Sequence, residues 1–132
     1  MEEKGFKLGI LCCNYTNLAE KEDFQDILGE VIMKRYPCSG HIEITDILRT
    51  FREGAEAVLV AGCQKGTCHN ENGSSRAEHQ VEGAQKLIEE IGLPKEFLKF
   101  VYVERLNTGD FIDKVKGFYK EVLNKLLKEK RV

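Results

Sequence analysis

The sequence predicts an α/β domain built on a parallel four-stranded sheet with helices on both faces. Three observations carry the prediction. Short apolar runs alternate with segments of helical spacing along the whole chain, and alternation of that kind argues for strands joined by crossover helices. The run Ala57–Ala61 (AVLVA) is continuously apolar, as a parallel strand buried on both faces requires. The length of 132 residues suits one domain with its own core, and no repeat, linker or second domain divides it.

Each element has its own warrant. Phe6–Leu11 (FKLGIL) is a short apolar run with β-type residues and reads as the first strand. Asn14–Asn17 is turn-like. Leu18–Leu28 carries Leu18, Ala19, Phe24, Ile27 and Leu28 at roughly helical spacing, and Gly29 is a natural stop. Val31–Tyr36 (VIMKRY) reads as the second strand, closed by Pro37, with Cys38-Ser39-Gly40 as a tight turn. Thr45 or Asp46 is suited to cap a helix that puts Ile47, Leu48 and Phe51 on one face and ends at Gly54. Ala57–Ala61 is the third strand. The glycine- and asparagine-rich segment Gly62–Ser74 is too polar for a core element.

Ser74 or Ser75 opens a long helix through Ile91, with Ala77, Val81, Ala84, Leu87, Ile88 and Ile91 as its expected buried face. Gly92 and Pro94 stop it. Phe97–Val103 contains the fourth strand. Thr108 is placed to cap the last helix, Phe111–Glu129, whose stripe is Phe111, Ile112, Val115, Phe118, Val122, Leu123, Leu126 and Leu127. The order βαβαβαβα, with right-handed crossovers, gives a single small three-layer domain of flavodoxin-like or half-Rossmann type.

Composition narrows the function classes. At 42% hydrophobic and 32% charged residues, the chain has the balance of a folded soluble protein rather than a disordered one. No apolar run approaches the roughly 18 residues of a membrane span. Met1–Lys4 opens with acids rather than a basic leader, so a cytoplasmic protein is expected. A net charge of -2 makes no case for nucleic acid or an anionic membrane as partner. There is no phosphate loop, paired acid/base constellation or nucleophile elbow, so a small-molecule enzyme is the least favoured class.

The informative residues are five cysteines, an odd number in a chain without secretory marks, which favours metal or catalysis over a disulfide framework. Cys12 and Cys13 close the first apolar run, Cys38 follows the second strand, and Cys63 and Cys68 follow the third. Parallel strands would gather these thiols along one sheet edge, where open α/β sheets place their sites. Cys63 and Cys68, with four residues between them including Gly66, make a loop able to wrap a cluster, and its amides can hydrogen-bond to cluster sulfides. Cys13 and Cys38 would complete four thiolates, a soft set that selects iron–sulfur or zinc. Adjacent strand residues point to opposite faces, so Cys12 and Cys13 do not both face one crevice easily, and Cys12 reads equally as core or ligand.

The phrases Arg35-Tyr36-Pro37-Cys38-Ser39-Gly40, Phe51 through Cys63 (FREGAEAVLVAGC), Gly66-Thr67-Cys68-His69 and Asn72-Gly73 carry a resemblance. They look like the iron–sulfur (delta) subunit of the methyl-viologen-reducing hydrogenases, over about Leu8 to Leu127 and most strongly over Tyr36–Gly73. The resemblance implies a small α/β domain holding a 2Fe–2S cluster. It implies a non-catalytic subunit relaying electrons from a hydrogenase or formate dehydrogenase to the flavin subunit of heterodisulfide reductase. Matched to the family pattern, the metal ligands are Cys13, Cys38, Cys63 and Cys68, with Cys12 as substitute. His69 is expected to support the ligands by hydrogen bonding. The family usually has Cys-x-x-Cys after the first strand, whereas here Cys13-Asn14-Tyr15 is followed by Thr16.

Two other classes compete. A thiol-disulfide protein or sensor would pair Cys63 with Cys68, or Cys13 with Cys38, but no Cys-x-x-Cys supports it. A zinc-stabilised interaction module would use the same four thiols tetrahedrally, although structural zinc prefers tighter pairs.

Overall fold

The computed structural model describes residues 6–13, 24, 30–36, 41–63, 73–103 and 107–130, without the side chains of 63, 73–75 and 127–130. Strands β1 (Leu8–Cys13), β2 (Val31–Tyr36), β3 (Ala57–Cys63) and β4 (Leu98–Val103) form one sheet. The helices are α1 (Ile44–Arg52), α2 (Gly73–Glu90) and α3 (Thr108–Lys130), with a 3-10 turn Lys95–Phe97 before β4. The strand order is β2-β1-β3-β4, and the three pairings are all parallel. This is the doubly wound order of the flavodoxin type without a fifth strand, so the expected α/β class holds. The helix expected over Leu18–Leu28 lies outside the described residues except for Phe24. That ring is buried, edge-on to Phe111 of α3 at 6.1 Å between centroids.

Strand alternation divides the core into two layers. Leu8, Ile10 and Cys12 of β1, with Ala57, Leu59 and Ala61 of β3, pack with Phe111, Val115, Phe118 and Val122 of α3. Leu11 of β1, with Val58 and Val60 of β3, packs with Ile47 of α1 and Val81, Ala84 and Ile88 of α2. β1 and β3 are the central strands, and Leu8, Ile10, Leu11 and Val58–Ala61 are each fully buried, as the apolar runs require.

Several boundaries differ from the sequence reading. β1 and β3 run on to Cys13 and Cys63, because their ladders to β2 and β4 continue past the apolar runs. Helix α1 begins at Ile44. Its first amide donates to Gln80 Oε1 of α2 at 3.0 Å, and the N-cap is Glu43, whose N–H donates to Asp46 Oδ2 at 3.0 Å, so Asp46 serves from the third helical position rather than as the cap. Helix α3 is capped by Asn107, whose Oδ1 accepts from Asp110 N–H at 3.0 Å; Thr108 is its first helical residue.

Two expected core residues are corrected. Leu87 and Ile91 are 41% and 73% exposed. Ala77, Val81, Ala84 and Ile88 already fill the face of α2 against the sheet. Ile91 falls where the helix ends: Gly92 takes φ 92°, its N–H donates to the Glu89 carbonyl, and Leu93 N–H donates to the Ile88 carbonyl. That glycine-terminated closure turns the chain away from the core one residue after Ile91. On α3, Tyr119 is buried beside the predicted stripe because its ring stacks on Phe6 at 4.5 Å.

Candidate metal centre

The strand order places the switch point of the sheet between β1 and β3, the position beyond which open α/β sheets bind their ligands. Both strands end there in cysteine. Cys12 lies opposite Ala61, so Cys13 falls level with Gly62, one residue from Cys63. On the other side Cys13 is in register with Tyr36, and Gly62 is in register with Tyr102.

The two neighbouring thiols of β1 have different surroundings. Cys12 is completely buried in the α3 layer, with Sγ 3.9 Å from the Lys34 carbonyl oxygen, at the long end of a sulfur hydrogen bond. Cys13 is 1% exposed and, by alternation with Leu11, belongs to the α1/α2 layer. Cys12 thus joins the α3 layer, and alternation assigns Cys13 to the other side. Cys38, Cys68 and His69 lie outside the described residues, as does Thr16. Cys63 is described by its backbone, at the last position of β3. Among the described residues no group of three or more potential metal-binding side chains comes together. His41 and His79 are both exposed.

The local electrostatics suit a centre that carries negative charge. Helices α1 and α2 run antiparallel to the strands, so their N-termini, with partial positive charge, lie at the C-terminal sheet edge. Glu43 beside the first turn of α1 is paired to Arg76 of α2 at 3.5 Å. The phenols on either side are neutral. Burial, reinforced by the nearby Asp46 carboxylate, pushes Tyr36 up to about 12. Burial and the hydrogen bond from its hydroxyl to Glu78 Oε1 at 2.8 Å push Tyr102 up to about 12. Two adjacent central strands thus end in cysteine, a residue type whose thiolate suits a soft iron centre. A cavity of about 430 Å³ lies at the opposite edge of the sheet, lined by Phe51, Ala55, Leu93, Pro94 and Phe97 among others, and holds no thiol.

Sequence reasoning reached Cys13 and Cys63 but gave Tyr36 and Gly62 no role in the site and did not single out Tyr102. The signal was partial: each lies at or near the end of a strand-like run, but only the register brings them level with Cys13.

A doubly wound parallel domain with cysteines closing both strands of its switch point defines a class of small thiol-bearing α/β modules. Residues 8–126 match the family described as methyl-viologen-reducing hydrogenase, delta subunit, and the chain belongs to that family. It is 37% identical over 82 residues to the vhu iron-sulfur subunit of the F420-non-reducing hydrogenase of Methanococcus maripaludis, covering 62% of this chain and 61% of that one. It is 36% identical over 81 residues to the protein of the same name from Methanocaldococcus jannaschii, covering 61% and 60%. It is also 31% identical over 88 residues to a subunit of the ferredoxin:CoB-CoM heterodisulfide reductase of Methanosarcina mazei, covering 67% of this chain but 11% of that one. The chain thus spans about three fifths of the length of the hydrogenase subunits it matches.

Proposed function

We propose that this protein is a non-catalytic electron-transfer subunit with a 2Fe–2S cluster as its redox group. In this reading it passes electrons between a hydrogenase or formate dehydrogenase and a flavin subunit of the heterodisulfide reductase type, in the cytoplasm. The observation that carries the reading is the placement of Cys13 and Cys63 at the ends of the two switch-point strands, in a chain of this family. Relatives named as iron-sulfur subunits of hydrogenase and as part of a heterodisulfide reductase support both ends of the relay.

The residues that would hold the cluster are Cys13, Cys38, Cys63 and Cys68, with His69 hydrogen-bonding beside Cys68. When bound, the cluster supplies a one-electron couple, tuned by hydrogen bonds and solvent exposure. The chain's own contribution is to place two cysteines at the ends of the central strands and to exclude water around Cys13, which is almost fully buried. Helix N-termini at the same edge favour the negative charge.

The reading is tested by reconstitution. Anaerobically purified protein, mixed with a hydrogenase and hydrogen, is expected to bleach in the visible region and to regain colour when a heterodisulfide-reductase-type flavin subunit is added. Iron-loaded protein that neither accepts electrons from the first nor returns them to the second would overturn it.

A further inference from the structure

The register lays four residues in one row across the C-terminal end of the sheet. Cys13 pairs with Tyr36, Cys13 falls level with Gly62 one step past the Cys12–Ala61 pair, and Gly62 pairs with Tyr102. Alternation puts all four on the α1/α2 face. Leu11 and Val60 precede Cys13 and Gly62 on that face, Tyr36 packs against its core layer, and Tyr102 reaches Glu78 of α2. The row reads tyrosine, cysteine, glycine, tyrosine from β2 to β4.

Its shape follows from those residue types. Strands lie about 4.8 Å apart, so the two aromatic positions stand roughly 14 Å from each other across three spacings. Between them are one small side chain and one missing one. Gly62 offers no atom beyond its backbone, so the row is low in the middle and walled at both ends. Tyr36 is half-buried beneath α1 and Tyr102 is tied to α2, so both rings are anchored.

We infer that Tyr36 and Tyr102 are positioning residues that wall the row on the α1/α2 side of the sheet, screening Cys13 and the Gly62 backbone from water. The inference rests on the proposed cluster for its redox consequence but not for its geometry. Cys12, on the α3 side, lies outside the wall. A cluster bound through thiolates gains negative charge on reduction, so a drier surround disfavours the reduced state and keeps the potential low.

Two readouts test this separately. The first is alkylation of Cys13 by iodoacetamide in the chelator-treated full-length chain, read by peptide mass spectrometry with circular dichroism as the folding control. Tyr36→Ala is expected to speed modification of Cys13 about tenfold or more, and Tyr36→Phe to change it less than about twofold, because access limits a shielded thiol. Cys12 is expected to react at an unchanged rate in both. The second readout is the reduction potential of the iron-loaded protein, expected to move positive in Tyr36→Ala and Tyr102→Ala and to stay near wild type in the phenylalanine variants. Should Tyr36→Ala lose its circular dichroism, Tyr36→Val keeps a strand-forming residue while removing the ring, and the same rates are read on it. Equal Cys13 reactivity in folded wild type and ring-less variants overturns the wall, whether or not iron is present. A wild-type chain that binds no iron overturns the proposed cluster instead and leaves the alkylation result to judge the wall alone.

Discussion

Gly9 shows how one residue decides how closely a helix approaches the sheet. A Cβ built there would stand 2.5 Å from Thr50 Cγ2 and 3.2 Å from Val58 Cγ2. Thr50 itself is fully buried, its hydroxyl donating to the Asp46 carbonyl at 2.9 Å. Gly9→Ala is therefore expected to cost about 1–3 kcal/mol, as overpacking in a dense core does. Thr50→Ser in the same chain removes the offending methyl while keeping the hydroxyl, so the double variant is expected to recover most of the loss. Urea midpoints of the four proteins of that cycle check it, and additive losses would show that the two positions do not meet. The sequence FKLGIL showed a strand but not this contact, because which helix crosses β1 is a tertiary fact. Cys12 and Cys13 divide the same way. Alternation told them apart in the sequence, but only the packing of α3 showed which layer Cys12 joins.

Helix ends and apolar faces carry the next scale. Gly54 at φ 111° and Gly92 at φ 92° end α1 and α2 with the same pair of bonds, here from Gly54 N–H to the Phe51 carbonyl and from Ala55 N–H to the Thr50 carbonyl. Both glycines were legible as stops from sequence, because a left-handed terminal residue is a local requirement. Nothing lies within 4 Å of a Cβ at Gly92, so Gly92→Ala isolates the backbone cost, expected to be about 1 kcal/mol, with Gly92→Asn losing less. Thermal midpoints compare them; an unchanged midpoint in the alanine variant would contradict the positive φ. Leu87 and Ile91 were read as core because they continue an apolar period, but α2 outlasts the surface it covers. Leu87→Gln and Ile91→Gln are each expected to change stability by no more than about 0.5 kcal/mol, whereas Phe111→Ala, at a fully buried ring, should cost about 3–5 kcal/mol. A loss above roughly 2 kcal/mol at Ile91 would mean that the residue is buried in the folded protein.

At the scale of the molecule, alternating runs were enough to predict a parallel sheet, and chirality limited how it could be wound. The order β2-β1-β3-β4 is what turns three separated cysteine positions into candidates for one site. Composition and spacing could bring the chain to soft-metal chemistry. The choice between iron–sulfur and zinc came from resemblance, because four thiolates suit both. The fold also has a pH signature. Tyr36 and Tyr102 are both raised from an ordinary value of 10 to about 12. The folded state therefore holds these protons more tightly than the unfolded chain. The stability they contribute is fully present below about pH 10 and is lost as pH rises through about 12. Tyrosinate absorbance and circular dichroism followed together through that window are expected to change late and in step. Early ionisation of all four tyrosines with the fold intact would contradict the burial of these two.

The most direct measurement is the iron and acid-labile sulfide content of anaerobically prepared wild type, Cys12→Ser and Cys13→Ser, quantified per folded chain. About two irons and two sulfides are expected in wild type and Cys12→Ser, with near-complete loss in Cys13→Ser, as ligation of a 2Fe–2S centre by the Cys13 thiolate requires. Wild type without iron, or a cluster that survives Cys13→Ser and is lost in Cys12→Ser, would contradict it.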